Sequence, residues 1–400
     1  MKISTQILID RYIGRLICKL IDVFNFLFFK NNDQITPEKI CIILMSEMGS
    51  LTLCFPMINI LKKKYPLVDI FILTLKKNDE IIKIMELVPE SNLITIDDST
   101  FIRFLSSLVK SIKHLKSHGI DTIIDCELFA RISSILSFLS GAKIRAGFYP
   151  YTQEGLFRGN HINRRVLYNP YLHISEQFIN LAESIDSKEH PRNKRIISGH
   201  RFKPDNINIS DQEKQDFKKR LDSCFPDFAN RPIVVINPGG GVLPIRAWPV
   251  EHYCVAAESL LQSGYSIAVT GVNIDKNTVE KIVDFCSSPY CVDMAGFTRS
   301  IYELLILFSI SKFLITNDSG PGHFSSLVSL PGIVLFGPET PVLYGSLNPN
   351  AVNMYADTAC SPCLTAYNHR RSPCNKNNLC LKSITPEQVL NKAYEVLSIK

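Results

Sequence analysis

Tryptophan occurs once in this chain, at Trp248. Long uninterrupted apolar runs are absent too. The stretch closest to one, from Ile9 to Phe29, is broken by Arg11, Arg15, Lys19 and Asp22. Those charges are too frequent for a membrane span or a signal peptide. No strong charge excess is present either: the net charge is +6. That is weak for a nucleic-acid binder, so no nucleic-acid partner is expected, but it suits an anionic acceptor or an anionic membrane surface. Nor does any Gly-x-Gly-x-x-Gly follow the first apolar run, which sets aside a dinucleotide-dependent oxidoreductase. Cysteine, by contrast, is plentiful at twelve, and Cys41, Cys54, Cys126 and Cys254 fall within apolar runs. With no secretory signal, these read as reduced core thiols of a cytoplasmic protein.

What is present is an alternation. Ile40-Cys41-Ile42-Ile43-Leu44, Asp69-Ile70-Phe71-Ile72-Leu73-Thr74, Leu93-Ile94-Thr95-Ile96 and Asp121-Thr122-Ile123-Ile124-Asp125 read as buried strands. Helical patterns separate them, among them residues 101–117 and about 131–140. A second unit begins at Ile233, with strands near 233–236, 266–270, 312–316 and 333–336. Strands alternating with helices predict an α/β protein with two doubly wound, Rossmann-like parallel sheets. The organisation read from this is an amphipathic N-terminal helix over 1–34, an N-terminal domain over 35–190 and a linker region over 191–230. A C-terminal domain over 231–385 and a C-terminal helix over 386–400 follow. Two similar halves joined by a linker imply a cleft between them.

In the first segment, Ile9, Tyr12, Ile13, Leu16, Ile17, Leu20, Ile21, Phe24, Leu27 and Phe28 recur at three- and four-residue spacing, with Arg11, Arg15, Lys19 and Asp22 on the other side. Such a helix either lies in a membrane interface or packs on its own domain.

Two stretches then dominate. Asn237-Pro238-Gly239-Gly240-Gly241 follows Val234-Val235-Ile236, and Asn317-Asp318-Ser319-Gly320-Pro321-Gly322-His323 follows Phe313-Leu314-Ile315. Each is an apolar strand breaking into small residues at its carboxyl end, where open α/β sheets bind ligands. Small residues admit close backbone approach, and free N–H groups at a helix start suit phosphate. This pair is expected to form a nucleotide-linked donor pocket, with Asp318 and His323 adding a carboxylate and an imidazole. In the first half, aligned strand ends would put Glu47, Asp125 and Glu127 on one rim.

In chain order, Ser46-Glu47-Met48-Gly49 after the first strand, Ile124-Asp125, Asn237-Pro238-Gly239, Arg246-Ala247-Trp248-Pro249, Asn317 to His323 and Leu335-Phe336-Gly337-Pro338 resemble glycosyltransferase family 9. These are the ADP-heptose:lipopolysaccharide heptosyltransferases and their relatives. The resemblance runs from about residue 38 to the C-terminus. It implies a GT-B fold with the acceptor on the N-terminal domain and the sugar nucleotide on the C-terminal one. It also implies inverting transfer from ADP-heptose, with no metal cofactor required, to a lipid-linked saccharide at the inner leaflet, by a cytoplasmic protein peripheral to the inner membrane. Donor contacts are then expected from Asn237, Gly239, Gly240, Arg246, Asp318, Ser319, Gly320 and His323. Acceptor contacts are expected from Ser46, Gly49, Ser50 and Arg158.

One departure matters. Characterised members carry an aspartate general base where this chain has Ser50, and a serine cannot take a proton near neutral pH without a base of its own. Glu47 is the expected substitute, followed by Asp125 and Glu127. The alternative is a catalytically impaired nucleotide-sugar-binding or scaffold protein of a glycan assembly pathway. Finally, Cys360-x2-Cys363 with Cys374 and Cys380 fits a structural zinc site, a redox-sensitive pair or unliganded thiols.

Overall fold

The computed structural model describes residues 8–28, 35–45, 47–128, 130–149, 157–187, 203–241, 243–365, 372, 374 and 377–398. Ser46, residues 188–202 of the basic stretch, 150–156 of the aromatic loop and His369 lie outside them. The chain divides into two compact units, Met1–Phe202 and Lys203–Lys400.

Unit 1 carries β1 (Lys39–Ile43), β2 (Asp69–Leu75), β3 (Leu93–Ile96), β4 (Thr122–Asp125), β5 (Ile144–Phe148) and β6 (Arg164–Val166). They form one parallel sheet in the order β3-β2-β1-β4-β5-β6. Unit 2 carries β7 (Ile233–Asn237), β8 (Ser266–Val269), β9 (Cys291–Asp293), β10 (Phe313–Asn317), β11 (Gly332–Phe336) and β12 (Ala351–Tyr355). Their order, β12-β11-β10-β7-β8-β9, is the same winding, and every pairing is again parallel. The apolar runs of the central strands follow from this: β7, β10 and β11 are buried along their whole length, because helices cover both faces.

The winding reverses direction between β1 and β4 in unit 1, and between β7 and β10 in unit 2. At such a reversal the connections leave the sheet toward opposite faces and open a crevice at the carboxyl edge. Ile43 pairs with Asp125 and Asn237 with Thr316, so the loops that follow start level with each other.

Helices follow sequence signals closely. A π-helical turn, Asp10–Gly14, runs into α1 (Arg15–Phe28). The loop after β1 opens α2 (Met48–Leu53) and then α3 (Phe55–Lys64), which ends on three lysines. α4 (Phe101–Ser117), α5 (Arg131–Leu139) and α6 (Ile174–Glu183) complete the larger helices of unit 1. In the stretch expected to be linker, Ser210 and Glu213 form a capping box that starts α7 (Asp211–Cys224). This helix belongs to unit 2, where Arg220 pairs with Glu303 at 2.7 Å. α8 (Val250–Gln262) and α9 (Lys276–Cys286) follow β7 and β8, and the short α10 (Gly320–Phe324) opens the loop after β10. α11 (Pro386–Leu397) starts at a Thr385/Gln388 capping box, and its Val389 and Ala393 enter the core of unit 2.

Candidate active site

In unit 2 the two small-residue loops are laced together by one side chain. Asn317, at the end of β10, is fully buried. Its amide nitrogen donates to the carbonyls of Pro238 at 2.9 Å and Gly239 at 3.1 Å. Its amide oxygen accepts from the Trp248 backbone N–H at 3.0 Å and the Tyr253 hydroxyl at 2.9 Å. One asparagine therefore fixes the loop after β7, the segment after Arg246 and the start of α8. Trp248 is buried behind this loop and donates its indole N–H to the Ile384 carbonyl at 2.9 Å. Asn237 is turned inward as well, its amide donating to the Thr270 hydroxyl at 3.1 Å.

Glycine is needed here by close approach. A Cβ on Gly240 would meet the Leu243 carbonyl oxygen at 2.8 Å and the Ala247 nitrogen at 3.1 Å, both backbone atoms. On Gly239 it would meet the Asp275 carboxylate at 2.6 Å.

Arg246 ends a single 3-10 turn, Pro244–Arg246, and is buried, with its Nε 3.4 Å from Asp318 Oδ2. A buried guanidinium facing a buried carboxylate at the reversal point gives the crevice one fixed cation and one fixed anion. Ser319 stands at the N-cap position of α10 without a side-chain capping bond, its hydroxyl donating instead to the Asn317 carbonyl at 3.2 Å. Gly320 follows it, and His323 lies buried in the same turn. The structure thus gathers Gly239, Gly240, Arg246, Asp318, Ser319, Gly320 and His323 on loops at the carboxyl edge of one pair of strands. Sequence reasoning passed over Asn317 as a fastener, although an amide ending an apolar strand directly before Asp318 was the available signal. It also passed over Glu339, a buried carboxylate just past the end of β11.

In unit 1 the corresponding crevice lies between the loops after β1 and β4. Glu127 bridges them, its Oε1 accepting from the Met45 N–H at 2.6 Å. Glu47 precedes α2 in extended backbone and is half-buried. Ser50 donates its N–H to the Glu47 carbonyl at 3.0 Å, and Gly49 is buried. Asp125 Oδ1 accepts from the Glu127 N–H at 3.1 Å, and behind it Asp125 meets Arg158 in the interior. They form an ion pair, each at most 1% exposed. The Arg158 guanidinium also donates to Ser133 Oγ at 3.0 Å and to the Ala130 and Phe148 carbonyls at 3.1 Å each. Burial pushes the Asp125 carboxyl up to about 6, against the pull of Arg158. This pair fastens the end of β4 to α5 and β5.

The four C-terminal cysteines are not gathered. Cys363 Sγ lies 3.1 Å from Ser372 Oγ, Cys374 Sγ accepts from the Asn378 N–H at 3.3 Å, and Cys380 is buried against Asn378. Cys360 is exposed. Among the described residues no three His, Cys, Asp or Glu side chains are grouped to hold a metal. Of the three readings, a shared zinc finds no grouped ligand set: Cys374 and Cys380 both face Asn378 while Cys363 faces Ser372, where a tetrahedral thiolate set needs all four turned to one point.

Residues 108–372 match the family model described as "Glycosyltransferase family 9 (heptosyltransferase)". Lipopolysaccharide heptosyltransferase 2 of Salmonella typhimurium is 27% identical over 186 residues, 45% of this chain and 51% of that protein. Lipopolysaccharide core heptosyltransferase OpsX of Haemophilus influenzae is 25% identical over 331 residues, 81% of this chain and 86% of that protein. The first of these matches thus spans about half the length of its relative. Among solved structures, that of the Escherichia coli ADP-heptose heptosyltransferase II superposes with a TM-score of 0.67 at 21% identity. The superposition covers 90% of this chain and 98% of that one, and it supports the GT-B fold.

Proposed function

Because the chain belongs to glycosyltransferase family 9, we propose that it moves a sugar, heptose from ADP-heptose, onto lipopolysaccharide or a related lipid-linked glycan. The observation that carries this reading is the Arg246–Asp318 pair, held 3.4 Å apart at the β7/β10 reversal between two loops fastened by Asn317. A nucleotide diphosphate fits beside it: Gly239 and Gly240 admit the phosphates closely, and the Ser319 and Gly320 N–H groups lie at a helix start. Arg246 neutralises the diphosphate as it departs, and Asp318 holds hydroxyls of the sugar. His323 supports the same turn. Transfer proceeds with inversion and without a metal. The acceptor oxygen forms its bond to the anomeric carbon as the bond to the diphosphate oxygen breaks, and the acceptor proton passes to a base.

Glu47 is the base in this reading, with Glu127 on the loop after β4 as the next acid and Gly49 and Ser50 shaping the acceptor side. Asp125 and Arg158, buried against each other, are positioning residues for the loop that carries Glu127. The protein works at the cytoplasmic face of the inner membrane, where lipid-linked acceptors are presented. Among the described residues no helix is long and apolar enough to cross a membrane.

The test is acceptor-dependent ADP release by the full chain with ADP-heptose and a lipid-linked acceptor extract. Loss of a general base lowers turnover roughly 10²–10⁴-fold. We expect that loss in Glu47→Gln and little change in Ser50→Ala. Full turnover in Glu47→Gln would move the base to Glu127. Saturable donor binding with no release under any acceptor would leave a nucleotide-sugar-binding or scaffold protein.

A further inference from the structure

The N-terminal helix is docked on unit 1 by its polar and small residues, with its apolar side outward. Gly14, Cys18 and Ile21 form the buried row, with Cys18 and Ile21 packed on Ile135, Phe138 and Phe157. Gly14 approaches so closely that a Cβ there would lie 3.1 Å from Arg131 Cβ. Both carboxylates of the segment turn inward. Asp10 accepts from the N–H groups of Arg131 at 2.9 Å and Ile132 at 3.0 Å, and pairs with the Arg131 guanidinium at 3.3 Å. Asp22 accepts from the Asn160 N–H at 2.6 Å and meets His161 Nδ1 at 3.1 Å.

On the opposite side, Tyr12, Leu16, Leu20, Val23 and Leu27 are each at least 60% exposed, and Phe26 is 86% exposed. Their spacing of three and four residues makes one continuous stripe. Arg11, Arg15 and Lys19 are exposed beside it. The outward surface of this segment therefore shows apolar side chains and cations, and no carboxylate. A helix serving only its own core would place the stripe against the domain and the charges in water.

We infer that this face seats in the interfacial layer of an anionic lipid bilayer. The helix lies in the membrane plane, clamped to unit 1 by Asp10, Gly14 and Asp22. The apolar stripe enters the acyl boundary while Arg11, Arg15 and Lys19 meet anionic headgroups. This deepens the proposed function, since it holds the acceptor domain against the leaflet that carries a lipid-linked substrate. It rests on that reading for its purpose but not for its evidence.

The experiment is flotation of the full chain with vesicles of phosphatidylethanolamine and phosphatidylglycerol, and with vesicles of phosphatidylcholine alone. Wild type floats with the anionic vesicles and much less with the neutral ones. The Leu16→Glu/Leu20→Glu/Val23→Glu variant stays in the aqueous phase with unchanged thermal unfolding. Replacing Arg11, Arg15 and Lys19 with glutamine lowers partitioning about fivefold per cation removed. Wild type failing to float with anionic vesicles overturns the proposal, as does a triple-glutamate variant that floats equally well. Failure to float combined with a dimer that the triple-glutamate variant dissolves would instead assign this face to pairing between copies. ADP release with a delipidated acceptor separates the two readings: flotation without release sinks the transferase, and release without flotation sinks the membrane face.

Discussion

Asn317→Ala is the sharpest test of how the donor loops are held. The substitution deletes an amide that makes four buried hydrogen bonds, to Pro238, Gly239, Trp248 and Tyr253, at 2.9 to 3.1 Å. It leaves two carbonyls, one N–H and one hydroxyl facing a small void. An orphaned buried polar group costs about 1–3 kcal/mol, and a water entering the void recovers part of that. Taking the low end for all four gives about 4 kcal/mol, close to the ceiling for single substitutions. For a unit of this size that corresponds to a fall of roughly 8–16 °C in Tm.

The assay is built in. Trp248 is the only tryptophan and bonds to Asn317 through its own backbone, so its fluorescence follows unfolding of unit 2. Tyr253→Phe is the control: it removes one of the four bonds and leaves the Asn317 oxygen still satisfied by Trp248, for a cost of about 1 kcal/mol. Asn317→Asp keeps the shape but turns an acceptor toward the Pro238 and Gly239 carbonyls, and should recover little. An Asn317→Ala loss no larger than that of Tyr253→Phe would refute the idea that this amide fastens the loops.

Other expectations follow from the same geometry. Gly240→Ala drives a methyl into the Leu243 carbonyl and should cost about 1–3 kcal/mol in unit 2, with weaker nucleotide binding by calorimetry. The Asp125 carboxyl has its folded pKa raised from 3.8 to about 6, so the folded state holds the proton more tightly. Its contribution to stability is complete below the unfolded value and falls as pH rises from about 4 to about 6. Urea unfolding of wild type over that window should show the decline, and Asp125→Asn should flatten it. Thr385→Ala removes the cap of α11 and should lower stability by about 1 kcal/mol in the same unfolding measurement.

The central strands were legible because they are buried on both faces and so are written as unbroken apolar runs. β1, β2, β4, β7, β8, β10 and β11 carry that mark, while β3, an edge strand half-buried on one face, was read from its Leu-Ile-Thr-Ile run. The ones not read were β5, β6, β9 and β12. β5 has Arg145 as its second residue, and its guanidinium is accommodated by the carbonyls of His161 at 2.7 Å and Ala142 at 2.6 Å, contacts that no local pattern announces. β6 and β9 are edge strands of three residues, and β12 is half-exposed along most of its length.

The loops of unit 2 were legible because close approach demands glycine, and glycine is visible in a sequence. The Asp125–Arg158 pair was not. Each residue reads as a site candidate when seen alone, and only the fold shows that they face each other in the interior. The choice among zinc, a redox pair and unliganded thiols was illegible for a related reason: spacing along the chain says nothing about where four thiols point.

The same strand order occurs twice, and each copy carries its own crevice, core and capped helices. Each set of loops is anchored within its own sheet, the loop after β1 by Glu127 and the loop after β7 by Asn317. A lineage built this way can alter one recognition surface by point changes while the other is inherited intact. Ser50 lies with the first of these surfaces, and Asn317 with the glycines of unit 2 lies with the second.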